Sequence, residues 1–195
     1  GKNALLANTT GAENVAVGNG SLDSNTTGYQ NVAMGMNALQ SNTTGAHNTS
    51  LGRESLYNNT TASNNTAVGD NALAANTTGY SNTAVGAAAL GANTTGRDSV
   101  ALGHLALMSN TEGYANTAIG FNTLRTCTTG DDNIAIGDRA LYYTTTGNNN
   151  VAMGYLAGYD LTSGTNNVFI GASAGRGGSP GGETTTSSNR VVLGD

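Results

Sequence analysis

The side chains that could carry chemistry are few and scattered. The chain has two histidines, His47 and His104, and one cysteine, Cys127. Its closest grouping of carboxylates is Asp131, Asp132 and Asp138. A calcium loop alternates oxygen ligands over twelve residues around a fixed glycine, and the aspartate spacing does not match that pattern, so a solvated acidic turn is expected. A reactive thiolate needs an electropositive setting. Cys127 has only Arg125 near it in sequence and is expected to be a partly exposed, inert thiol. Gly177-Gly178 and Gly181-Gly182 lack the lysine and the strand–helix context of a phosphate loop. No catalytic residue, metal ligand or cofactor is assigned, and the chain is expected not to be an enzyme.

Three other residue types recur in ways that could matter. Asn8, Asn25, Asn42, Asn59, Asn76 and Asn93 each open an Asn-Thr-Thr triplet, the acceptor pattern for N-glycosylation, and Asn48 also meets it. Turn geometry explains the same triplets, because asparagine bonds its own local backbone. A threonine column running from Thr9 and Thr26 to Thr162 has no exception. Regular threonines on a flat surface could match ice, but adjacent threonines such as Thr9 and Thr10 point apart in a strand, which favours a threonine turn ladder. Of the eight tyrosines, Tyr29, Tyr80 and Tyr114 share one position in the repeat described next. They are the candidate ligand-binding residues, since aromatic rings give large contact area at low entropic cost.

All these residues are placed by one repeat. Glycines Gly18, Gly35, Gly52 and onward to Gly171 follow each other at a fixed interval of 17 residues, the mark of a solenoid. The residue before each closing glycine is aliphatic, from Val17 and Met34 to Ile170. The residue before that is small, as at Ala16 and Ala33, until Phe169. Earlier in the unit, a small residue (Ala4, Ser21, Ala38) precedes a leucine (Leu5, Leu22, Leu39), and the leucine gives way to glycine only at Gly158. Asn14, Asn31 and Asn48 begin a further column broken once, by Ser99. Apolar stretches of four or five residues interrupted by Asn, Thr and Gly predict short strands rather than helices.

The structural residues are therefore Leu5, Leu22, Leu39, Asn14, Ala16, Val17 and Gly18. The unit is expected to hold two strands and two turns, coils stacking by parallel pairing with asparagine amides bonded along a ladder about 4.8 Å apart. Gly18-type positions are expected to need positive φ or close backbone approach, and Gly11-type positions, where Ala62 is tolerated, to be less demanding. The fold class expected is all-β, a parallel β-roll or β-solenoid of 17-residue coils. Two segments follow: 1–171, a ten-coil repeat domain, and 172–195, an atypical final coil with an inserted Gly/Ser/Thr loop and a last strand at Arg190–Gly194.

With 10% charged residues, two Phe and no Trp, a single roll buries little apolar surface. Side-by-side association is expected, with the Ala4, Ala16 and Val15 columns allowing close approach. A net charge of -5 and a pI near 4.7 give no footprint for nucleic acid. No apolar run approaches the length of a membrane span. The first residue lies inside a unit, and the sequence is taken as a segment of a longer protein.

The units Asn82-Thr83-Ala84-Val85-Gly86, Asn116-Thr117-Ala118-Ile119-Gly120 and Asn133-Ile134-Ala135-Ile136-Gly137 resemble the head repeats of trimeric autotransporter adhesins of the YadA type. Similar repeats occur in fibres of phages and large viruses, and Asn189–Asp195 looks like the segment preceding the distal region of such fibres. The likeness covers essentially residues 1–195, although the usual head repeats at about 14 residues. It implies a left-handed β-roll and a homotrimer. Val17-type and Leu5-type residues would fill the roll, and Ala16-type residues would approach the other chains. It also implies a non-enzymatic adhesive head, extracellular on a cell surface or virion fibre, with a host-surface protein or glycan as partner. An ice-binding protein or a purely structural spacer is the alternative.

Overall fold

A computed structural model describes residues 1–177 and 185–194. Among them are eleven strands of three residues each: β1 (Val15–Val17), β2 (Val32–Met34), β3 (Thr49–Leu51), β4 (Thr66–Val68), β5 (Thr83–Val85), β6 (Val100–Leu102), β7 (Thr117–Ile119), β8 (Ile134–Ile136), β9 (Val151–Met153), β10 (Val168–Ile170) and β11 (Val191–Leu193). They form one parallel sheet in sequence order. The register is strict, so that Ala16 pairs with Ala33 and Ser50 with Ala67. The chain is an all-β parallel solenoid with about 17 residues per coil and no helix among the described residues. Steps between equivalent residues are 17 as far as Thr162 and 23 to Thr185. The longer last step and the strand β11 agree with an enlarged final coil, and the Gly/Ser/Thr insertion expected there falls mainly at 178–184, outside the described residues.

Each coil has one strand, not the two expected. The rest of the coil is a chain of turns with left-handed residues at fixed places. The leucine column sits there, with φ between 49° and 54° from Leu56 to Leu5. A bulky residue at positive φ is an outlier elsewhere. Here it lets Ala38 and Leu39, neighbours in sequence, both reach full burial, which strand alternation would forbid. Coil-to-coil bonding continues through these turns: Leu22 N donates to Ala38 O at 3.1 Å and Thr26 N to Thr43 O at 2.9 Å.

The strand residues face opposite to the expected sense. Ala33, Ala67 and Ala84 are fully buried, as is the rest of the Ala16-type column beyond the first coil to Phe169. Val17 is 51% exposed, Met34 44% and Ile170 45%. Thus the aliphatic column lies outside the roll, and the small column lies inside and cannot approach another chain. The Ala4-type column is interior too. The reason is width: with a leucine from the turn already in the interior, the strand side has room for a methyl group.

Phe169 shows the same constraint. A Cβ on Gly158 would come within 2.7 Å of Leu141 Cδ2 and 2.8 Å of Phe169 Cδ2. The phenyl ring fills the volume of the leucine that Gly158 lacks. The closing glycines behave as the sequence suggested. Gly86 has φ of 134°, and a Cβ there would meet Gly103 O at 2.5 Å, so no side chain fits.

Polar side chains complete the interior. Asn42 Nδ2 donates to Asn25 Oδ1 at 2.8 Å and to Gly45 O at 3.0 Å. The row continues to Asn110, which donates to Asn93 Oδ1 at 2.8 Å. In the Asn14-type row the backbone joins in: Asn48 Nδ2 donates to Asn31 Oδ1 at 3.1 Å as expected, and Asn48 N donates to the same oxygen at 3.0 Å, while at Asn65 only the backbone N reaches Asn48 Oδ1, at 3.0 Å, and Nδ2 donates to Gly79 O at 2.9 Å. Ser99 substitutes in this row, its Oγ accepting from Asn116 N at 3.1 Å.

The Phe169–Gly158 exchange is testable. Phe169→Ala should lower stability by about 3–5 kcal/mol in chemical denaturation. Adding Gly158→Leu should recover most of that loss, since leucine occupies this left-handed position in the preceding coils. Two costs that simply add would show that the residues do not share one volume.

Candidate binding surface

The exterior carries three kinds of ladder, each set by which columns the turns point outward. The first is the outer face of the sheet. Val15 and Val17, Met34, Val85, Ile134, Met153 and Ile170 are all exposed there. Two columns of outward side chains run along eleven strands, a strip about 48 Å long at the usual strand spacing. Threonines at Thr49, Thr66, Thr83 and Thr117 interrupt one of them.

The second ladder holds Tyr29, Tyr80 and Tyr114, which are exposed and share a column as expected. They do not make a continuous ridge. Arg97 lies between Tyr80 and Tyr114, its guanidinium carbon 5.9 Å and 4.7 Å from the two ring centroids. Tyr29 sits apart, edge-on to His47 at 5.1 Å. Asp98 pairs with Arg97 at 3.5 Å.

The third ladder was not singled out in the sequence, although Arg125, Tyr142, Tyr159 and Arg176 follow one another at the 17-residue interval. Tyr142 and Tyr159 stack with centroids 5.3 Å apart. Arg125 lies 5.8 Å from the Tyr142 centroid and Arg176 5.3 Å from that of Tyr159, within cation–π range. Tyr143, on the next column, stands edge-on to both rings, at 4.8 Å and 5.0 Å. Side-chain hydrogen bonding with Tyr143 raises the pKa of Tyr159 above its ordinary value.

His47 and His104 are not brought together: one packs on Tyr29 and the other stacks on Phe121 at 5.6 Å. Among the described residues no group of three or more His, Cys, Asp or Glu could hold a metal ion, and no helix is long and apolar enough to cross a membrane. The Asn-Thr-Thr asparagines Asn25, Asn42, Asn59, Asn76 and Asn93 are fully buried with their amides bonded, as is Asn48. The folded chain therefore offers none of these to a glycosylating enzyme. The threonine column spends its hydroxyl protons within the roll: Thr26 Oγ1 donates to Thr43 O at 3.0 Å and Thr94 Oγ1 to Thr111 O at 2.9 Å.

Cys127 is fully buried, not partly exposed. It occupies the asparagine column and ends the amide row. Its thiol donates to Gly130 O at 3.6 Å, and Asn110 Oδ1 is left without a partner. Burial pushes its pKa up to about 12, because the apolar interior disfavours the thiolate.

Compared with protein-family models, with curated proteins and with solved structures, the chain matches none.

The thiol gives a direct check of the interior. At pH 8 iodoacetamide should leave Cys127 unmodified in the folded chain and alkylate it in denaturant. The folded-state pKa lies above the ordinary 9.0, so alkalinity also favours unfolding, which releases the proton more readily. Rapid labelling of the native chain at pH 8 would place Cys127 outside the core.

Proposed function

We propose that this chain is a non-enzymatic head module of a fibre on a cell surface or virion. In this reading three left-handed rolls associate side by side and attach through their repetitive outer faces. The observation that carries it is the exposed aliphatic strip on the sheet. A monomer rarely leaves so long an apolar strip in water. Association through the strip recovers about 25 cal/mol per Å² of apolar area. Because the register is the same in every coil, copies with parallel axes present matching rungs at matching heights. The interface of this proposal uses the Val15-type and Val17-type columns, while the Ala16-type column remains inside each roll. The tyrosines lie in turns beyond the strands and stay available for contact, where many weak contacts add up on a multivalent head. The resemblance to YadA-type head repeats supports the same reading.

Light scattering should give a mass near three times 19.4 kDa. The triple variant Met34→Glu, Val85→Glu and Ile136→Glu spaces its charges three strands apart within one chain but gathers them between chains. It should return the mass to that of one chain with the β-sheet circular dichroism retained. A wild-type monomer would sink the assembly.

A second experiment addresses attachment. Replacing Tyr29, Tyr80 and Tyr114 together by alanine should leave the melting temperature nearly unchanged, as for most surface positions. Retention on plates coated with host cells or matrix proteins should fall. A sharply lowered melting temperature, or unchanged retention, would remove these tyrosines from the contact surface.

A further inference from the structure

The Arg125–Tyr142–Tyr159–Arg176 stack, with Tyr143 across it, differs in charge from the rest of the surface. The chain carries seven Lys and Arg residues against twelve Asp and Glu. Two of the seven, Arg125 and Arg176, lie over the rings of the stack, and Arg139, over Phe121 at 5.5 Å, is close enough to Tyr159 to act on its ionisation. Among the described residues, the acids next in sequence to Arg139 and Tyr159 each have a partner. Asp138 pairs with Arg139 at 3.7 Å, and Asp160 Oδ2 accepts from Gly177 N at 3.1 Å.

Arg125 is the informative member. Arg53, Arg97 and Arg139 each have a carboxylate within 4 Å, at 2.8, 3.5 and 3.7 Å. Arg125 has none among the described residues. Its one hydrogen bond runs from an Nη to Tyr142 Oη at 2.9 Å, and its enclosed Nε has no acceptor. The guanidinium is thus held in place by a ring and a hydroxyl while its charge stays uncompensated. Its remaining Nη N–H groups suit an oxygen of a sulfate or carboxylate. Beside it Tyr143 meets both neighbouring rings edge-on and keeps 44% of its surface exposed, an outward part that can pack on the CH face of a sugar.

We infer that this ladder is a binding site for the sulfate or carboxylate groups of an acidic polysaccharide. The stack covers three coil steps, about 14 Å, longer than one charged group and suited to a chain with repeated charges and sugar rings between them. Arg125 holds one end of the stack with no carboxylate beside it among the described residues, and the rings of Tyr142 and Tyr159 follow along it. The inference deepens the attachment reading by naming a ligand class, but the site itself does not require a trimer.

The test uses the full chain over immobilised dextran sulfate, polygalacturonate and uncharged dextran, with rising salt. Retention is expected on one or both charged polymers and not on dextran, and it should weaken with salt. Arg125→Gln and, separately, the exposed Tyr143→Ala should each reduce affinity at least about tenfold. Arg53→Gln, on a paired arginine far along the roll, should leave it unchanged. Dextran sulfate alone would assign sulfate, and polygalacturonate alone carboxylate. No retention on either charged polymer overturns the site. So does equal retention on dextran, or an equal loss from Arg53→Gln and Arg125→Gln. A monomeric chain that still loses binding through Arg125→Gln keeps this site and removes the trimeric head. A trimer that binds neither charged polymer does the reverse.

Discussion

Every side chain in this roll must tolerate its own counterpart one coil away, at the spacing of hydrogen-bonded strands. That single condition selects the residues. Asparagine succeeds in the interior because its amide both donates and accepts, so Asn42 can bond Asn25 and be bonded by Asn59. A lone buried amide would be costly; in a row, each answers the next. Glycine is required where the backbone of the neighbouring coil comes closest, as Gly86 does beneath Gly103.

The same condition turns the roll partly inside out. A three-residue strand sends one side chain in and two out. With Leu39 or Leu73 supplied from the turn side, the inward strand position shrinks to alanine or serine, and the larger aliphatics go outside. Where the inward residue is serine, its hydroxyl is matched across the interior: Ser50 Oγ and Ser55 Oγ lie 2.6 Å apart. Apolar burial within one chain therefore rests mainly on leucine, while backbone and amide ladders hold the coils in register.

The sequence carried the period, the in-register parallel pairing, the closing glycines and the amide ladder plainly, because each is a column property that needs no knowledge of direction. It did not carry the sense of the strand. Alternation says that Ala16 and Val17 face opposite ways, and the greater hydrophobicity of valine pointed to the wrong one as interior. The left-handed leucines were invisible for a related reason: nothing in Leu22 or Leu73 announces positive φ, and the shared interior place of Ala38 and Leu39 follows only once that φ is known. Gly158 and Phe169 each stand out as departures from their columns, but their pairing depends on a distance across the roll. Of the surface, the column of Tyr29, Tyr80 and Tyr114 was legible. The stack from Arg125 to Arg176 is equally present in the register, but a column that mixes arginine with tyrosine shows no single residue type to mark it.

The ladders also give the roll a mechanical character. Tension along its long axis loads the hydrogen bonds between coils rather than the covalent chain within them. Neighbouring coils are joined by much the same set of bonds, so a pull applied at one end meets nearly equal resistance at each boundary and releases one coil at a time. Each release frees 17 residues, roughly 55 Å of extended chain, and the coil beneath it becomes the new end. Such a module lengthens in even increments under load and can rewind onto the template that its remaining coils provide.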